Sequence, residues 1–309
     1  LAKTLIILIC LQTFYAIAPA QSSRHDTARV NRKKLAIVTA ANVGIWAGSY
    51  ITLNKAWYAD YEKTSFHVFN DLPEWNQADK AGHIWTTYQV SRASAEMWKW
   101  TGLNRNTSAI LGGVSGIVYE SIIEIQDGYS SKWGFSWSDV GADLIGAGGF
   151  ALQEIAWKQQ RIQVKLSYWP AAYPPGLKPR RNELFGSGDM ERVLKDYNSQ
   201  TYWVSANIAS FFPETSLPKW LNISFGYGVD GLLGGRSNVW KNDEGSLFDY
   251  SNVKRERKYY LSPDIDLTRI KTKSSALRTV FFLFSAIKIP APAIEMNSSG
   301  QLRIRAVKF

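Results

Sequence analysis

DKAGH at 79–83, YESIIEIQDGY at 119–129 and WSDVGADLIGAGG at 137–149 decide how this chain reads. Each segment places two ionisable side chains four residues apart: Asp79 with His83, Glu120 with Glu124, and Asp139 with Asp143. Positions i and i+4 share one face of a helix, about a turn apart. The residues between them are apolar and small, which predicts packed helices rather than solvated ones. Pairs of this kind turned to a common interior would form a polar cluster inside an apolar bundle.

Working outward, Asp79 reads as an N-cap, with a helix running from it to about Trp100. A second helix is expected from Asn106 to about Gln126, and a third from Ser136 or Ser138 to about Gln160. Gly112, Gly113, Ser115 and Gly116 on one, and Gly141, Gly146, Gly148 and Gly149 on the next, would let another backbone approach closely. Ahead of these lies Leu35–Leu53, uncharged over 19 residues. It meets the lower length limit for a membrane-spanning helix. Its content of small residues suits the central helix of a soluble bundle equally well. Residues 54–78 are aromatic and polar, and His67 there reads as a surface or interfacial residue.

At Arg161 the period changes. Ile162, Val164, Leu166 and Tyr168 alternate with polar residues, which is strand periodicity. Further strands are expected at about 201–211, 219–230 and 258–270, a helix at 276–287, and last strands near 291–296 and 302–309. Residues 176–198 read as a polar loop with a short helical piece. Gly226, Gly228 and the run Gly231 to Gly235 read as turns or bulges rather than a phosphate loop. The alternating end LRIRAVKF resembles the closing strand of an outer-membrane barrel, but about six strands fall short of the eight in the smallest such barrels. The fold class is therefore α+β: an N-terminal bundle of about four apolar helices over 35–160, then an antiparallel β region over 161–309, either a half-open sheet or a small barrel-like wall.

The 309 residues are 45% apolar and include 13 Trp, so a sizeable core is available. The net charge of +10 favours anionic partners. From Lys254 to Lys308 twelve basic residues face four acidic ones. Lys3, the apolar run Leu5–Leu11 and Ala18-Pro19-Ala20 read as a secretory signal peptide over 1–20, followed by a polar lead-in over 21–34 containing His25. Export argues against nucleic acid and for a membrane lipid or another envelope component. Cys10 is the only cysteine, which excludes an intrachain disulfide and a cysteine-based zinc site. Its setting, Ile-Leu-Ile-Cys, is a poor lipid-attachment signal.

The order DKxxH, then E-x-x-x-E-x-x-D-G, then W-S-x-x-D opening a Gly-Ala-rich helix resembles the YfiM-type family of bacterial envelope proteins over about residues 79–150. More distantly it is similar to VanZ-like membrane proteins, although Asp143 stands where those commonly carry Asn. The resemblance implies a small helical unit at the periplasm or outer membrane of a Gram-negative bacterium, with no assigned activity.

The candidate site comprises Asp79, His83, Glu120, Glu124, Asp139 and Asp143, with Lys80, Arg92 and Asp127 as ligand-binding residues. Carboxylates and an imidazole supplied from packed helices can hold a divalent ion, though no particular metal or cofactor follows from them. Without a metal, His83 could act as base or nucleophile while Lys80 and Arg92 hold a phosphate-bearing lipid. The third reading is a buried hydrogen-bonded network in which Lys80 and Arg92 neutralise Glu120 and Glu124.

Overall fold

The structure, a computed structural model, describes residues 29–56, 58, 61–242 and 244–308. The expected signal peptide, Cys10, His25 and the start of the lead-in lie outside the described residues, as does Phe309. The chain divides into two compact units: the chain up to Asp71 with His83–Arg161 and Lys271–Phe284, and Leu72–Gly82 with Ile162–Ile270 and the chain from Ser285.

The first unit is helical. Its main elements are α1 (Arg32–Ala56), α2 (Ala78–Trp100, whose first turn is grouped with the second unit), α3 (Arg105–Gly128) and α4 (Trp137–Ala156). Small residues set the packing. A Cβ at Gly112 would lie 2.5 Å from the Ser91 carbonyl oxygen, and one at Gly146 would lie 2.5 Å from that of Ile84. Only glycine permits these backbone approaches to α2. The expectation for the other glycines of α4 does not hold, because a Cβ at Gly141, Gly148 or Gly149 would meet nothing within 4 Å. Asn104 caps α3 by accepting from the Thr107 N–H at 2.9 Å. By length and composition α1 and α3 could each cross a membrane; the apolar window of α1 is 17% buried and that of α3 50%.

Two boundaries differ from expectation. Asp79 is not an N-cap, because α2 starts at Ala78 straight out of a 3₁₀ turn, Glu74–Gln77, and Asp79 sits in the first helical turn. A carboxylate there is still favoured by the helix dipole. The fourth helix stops at Ala156 rather than Gln160. Gln160 instead turns back and donates to the Phe150 carbonyl and to Glu154 Oε1, both at 3.1 Å.

The second unit is built on a six-stranded antiparallel sheet. Its strands are β1 (Ile162–Tyr168), β2 (Gln200–Asn207), β3 (Leu221–Asp230), β6 (Glu256–Ile265), β7 (Ala291–Asn297) and β8 (Leu302–Lys308), hydrogen-bonded in that order. The sheet does not close into a barrel, so the half-open form is the one adopted. At the β1 edge the Leu166 N–H donates to Ala286 O and Leu166 O accepts from the Lys288 N–H, both at 3.0 Å. A separate hairpin, β4 (Val239–Lys241) with β5 (Leu247–Asp249), is absent from the sequence reading, and the one short helical piece expected in 176–198 is two helices, α5 (Lys178–Phe185) and α6 (Asp189–Lys195).

Two strands end earlier than their alternation suggests, for the same reason. Asn207 caps a helical turn, α7 (Ile208–Phe211), through the Ser210 N–H at 3.0 Å. Asp266 caps the turn Leu267–Arg269 through the Thr268 N–H at 3.0 Å. The remaining element, α8 (Ser275–Phe284), belongs to the helical unit. Gly226 and Gly228 prove to be strand residues rather than turn residues. A Cβ at Gly226 would lie 2.7 Å from the ring of the fully buried Trp203, so glycine here makes room for an indole.

The sheet alternates in an unusual sense. Lys165, Ser205, Asn222, Ser224, Ser262 and Asp264 point inward and are buried. Their apolar neighbours along the strands point outward. Lys165 and Asp264, both 0% exposed, form an ion pair of 2.6 Å at the centre of this polar interior.

Candidate functional site

The loops between α2 and α3 and between α3 and α4 are short, so these helices run antiparallel and bring the start of α2, the end of α3 and the start of α4 together. His83 stands at the junction. Its Nδ1 lies 3.1 Å from Asp143 Oδ1 and 3.8 Å from Glu120 Oε2. Its Nε2 lies 3.6 Å from Asp139 Oδ1 and 3.9 Å from Glu124 Oε1. All four carboxylates are buried, and the imidazole is 14% exposed.

Neighbouring groups hold these acids in place. Ser136 caps α4, its Oγ accepting from the Asp139 N–H at 3.1 Å. The Ser136 N–H donates to Glu124 Oε2 at 3.0 Å, so one residue ties the end of α3 to the start of α4. The hydroxyls of Ser136 and Ser138 both donate to Asp71 Oδ1, at 2.5 and 2.7 Å. Thr87 donates to Asp143 Oδ1 at 2.7 Å and to the His83 carbonyl at 2.8 Å.

The segment before α2 covers this end of the bundle. The Thr64 N–H donates to Tyr129 O, the His67 N–H to Gly128 O, and the Phe135 N–H to His67 O, all between 2.9 and 3.0 Å. The Phe66 ring packs edge-on against Tyr129 at 5.3 Å, and Phe135 packs against Trp137 at 5.0 Å. His67 is part of this cover, its Nε2 2.6 Å from the Trp133 carbonyl.

Electrostatics follow from burial. Desolvation first, and then the Asp139 carboxylate, push Glu124 up to about 9, against the opposing pull of His83 and the Ser136 N–H. Glu124 therefore carries a proton at neutral pH. Near a helix C-terminus an ionised carboxylate is opposed by the dipole, and the proton removes that conflict.

The remaining predicted residues are placed as follows. Asp79, one turn ahead of His83, accepts from Tyr197 Oη at 2.6 Å and from Lys80 Nζ at 2.9 Å. Lys80 is thus directed at Asp79. Arg92 donates to Gln89 at 3.1 Å and to the Phe282 carbonyl at 2.9 Å, and it stacks 3.8 Å over the Phe282 ring. Nine residues beyond His83 on one helix amounts to roughly 13 Å along the axis, so Arg92 does not serve as counter-ion to Glu124. Asp127 accepts from Tyr58 at 2.7 Å, and burial together with that carboxylate pushes the Tyr58 phenol up.

Asp71, Thr87 and Ser136 are contributors that the chemistry-bearing pattern did not single out. Thr87 had a signal, since it stands four residues after His83 on the same helix face. Asp71 had none, because it lies in a loop.

The family described as predicted periplasmic lipoprotein (DUF2279) matches residues 68–154. That segment opens just before Asp71, ends near the close of α4, and contains His83 and its four carboxylates. No curated protein and no solved structure matches the chain. Over the segment that carries the site, the chain is similar to predicted periplasmic lipoproteins, which supports an exported, periplasmic protein without an assigned activity.

Proposed function

We propose that the helical unit is a cation-holding module of an exported envelope protein, with His83, Glu120 and Asp143 taking one divalent ion and Asp139 beside them. The observation that carries this reading is the donor set. A single imidazole lies within 3.9 Å of four buried carboxylates. Buried carboxylates gathered this closely require compensation, and a bound cation supplies it together with His83 and the proton on Glu124. Donor atoms of His83, Glu120 and Asp143 lie within 4.8 Å of one another. Metal bonds of about 2.0–2.2 Å draw such atoms to roughly 4 Å or less, a small adjustment. One imidazole among carboxylates suits Zn²⁺ or Mn²⁺ better than Ca²⁺.

The geometry favours a held ion over an organic substrate. Two cavities among the described residues, of about 640 and 400 Å³, are lined by Trp169, Tyr260 and Arg305 and by Ile223, Leu261 and Ile294, all in the sheet unit. Lys80 and Arg92, which would hold a lipid phosphate, are directed at Asp79 and at Gln89 and Phe282. The motif order that resembles YfiM-type and VanZ-like proteins supports placing the module at the bacterial envelope, with the outer membrane as its site.

Elemental analysis of the purified protein, with thermal unfolding before and after chelation, tests the reading. About one Zn or Mn per chain is expected, with a fall in Tm on chelation that the metal restores. His83→Ala and Asp143→Asn should lose both the metal and the shift. A wild-type Tm at neutral pH that is indifferent to chelator and to added Zn²⁺ or Mn²⁺ would overturn it, leaving a network balanced by protons.

A further inference from the structure

A sheet that meets water on one side turns its polar residues outward and its apolar residues into the core. In this sheet much of that order is reversed, although Trp203, Tyr260 and Ala293 are also buried on the inner side. The strand register aligns Val164 with Val204, Val204 with Phe225, Phe225 with Leu261, Leu261 with Ile294, and Ile294 with Ile304. This single apolar row crosses all six strands on the outer face. Five inter-strand steps span about 24 Å. Exposure is 46–52% from Val204 to Ile294 and reaches 85% at Ile304 on the edge strand. The apolar groove of about 400 Å³ runs over the same face, between Ile223, Leu261, Ile294 and Ile304.

The ends of the strands carry a second, independent signal. Toward one end the outer face changes from aliphatic to aromatic: Phe225 stacks on Tyr259 at 6.2 Å, and Tyr259 pairs with Tyr227, which packs against the cluster containing Ala78 and donates its hydroxyl to the Asn76 carbonyl. At the opposite end Phe212 and Trp220 are exposed, with exposed Lys219 beside them. Trp220 and Tyr227 bracket about 24 Å of β3. Apolar-out and polar-in alternation, with aromatics at both ends of an apolar band about 25 Å tall, is the pattern of sheets whose outer solvent is lipid.

We propose that the outer face of this sheet packs against the hydrocarbon of a phospholipid bilayer. Two observations favour lipid over another occupant. The charge of the sheet is paired on its buried side, where Lys165 and Ser205 both donate to Asp264 Oδ2 at 2.6 Å, and the outer row carries none. The net charge of +10 complements anionic headgroups at the rim. This inference does not depend on the cation site.

The test reads depth at single positions. In full-length protein carrying Cys10→Ser, cysteine is introduced by Phe225→Cys, Ile294→Cys or Ile304→Cys, or by Asp249→Cys on the exposed hairpin, and labelled with a polarity-sensitive fluorophore. Ile304, on the edge strand, is the position whose change least disturbs folding. Vesicles of phosphatidylcholine and phosphatidylglycerol are then added, with or without mid-chain brominated lipid. Labels at 225, 294 and 304 should shift to the blue and lose at least half their intensity to the bromines, while the label at 249 does neither. Labels on the outer face that stay water-exposed with vesicles present would overturn the proposal. So would labels already shielded before vesicles are added: a doubled mass by light scattering would then assign the face to a second copy, and a monomeric mass would assign it to the chain's own first residues.

Discussion

Thr87 and His83 meet the same oxygen of Asp143. The Thr87 hydroxyl donates to Asp143 Oδ1 at 2.7 Å while His83 Nδ1 lies 3.1 Å from it. A side chain one turn beyond the histidine thus fixes the carboxylate that the histidine faces. Thr87→Val keeps the shape and removes the donor, leaving a buried acceptor short of one hydrogen bond. A loss of about 1.5–3 kcal/mol is expected in denaturant unfolding, with Thr87→Ser recovering most of it.

His83 and Glu124 belong to one electrostatic unit, with Nε2 3.9 Å from Oε1. Removing one member of such a buried set strands the other, at roughly 3–5 kcal/mol. His83→Ala should destabilise the protein by that amount, whereas Glu124→Gln replaces a protonated carboxyl with a neutral amide and should cost less; the double variant should cost less than the sum of the two. Strict additivity in thermal unfolding would place them in separate environments.

Glu124 also sets a pH dependence in metal-free protein. Its pKa is raised from 4.5 to about 9 by burial and by Asp139. The folded state therefore holds a proton that the unfolded state releases. The associated stability is complete below about 4.5 and is lost as pH rises toward about 9. Chelated wild type should lose Tm across that window, and Glu124→Gln, which cannot titrate, should flatten the curve.

The glycines of the bundle divide into two kinds. A Cβ at Gly112 would lie 2.5 Å from Ser91 O and 2.6 Å from the Ala95 Cβ, whereas one at Gly148 would meet nothing within 4 Å. Gly112→Val should force α2 and α3 apart and cost at least ~3 kcal/mol or prevent folding. Gly148→Ala should stabilise α4 by up to about 1 kcal/mol. Circular dichroism melts of the two variants check both directions.

The sequence by itself determined the four long helices, the change to strands after Arg161 and the four carboxylates that meet at His83. Those features are periodic: i, i+4 pairs mark a helix face, and antiparallel neighbours joined by short loops must bring one end of each helix together. Three things needed the tertiary structure. Asp71, Ser136 and Thr87 became supports of the site only when a loop and two helix turns were brought beside it, since a hydrogen bond across 67 residues, as from Ser138 to Asp71, leaves no mark on spacing. Charge alone left open which groups Lys80 and Arg92 meet, and packing sets Lys80 against Asp79 and Arg92 against Gln89 and Phe282. The side of the sheet that is buried was likewise invisible, because strict alternation is the same whichever face turns inward. Register and burial decide it, and here they place the polar residues inside and the row from Val164 to Ile304 outside.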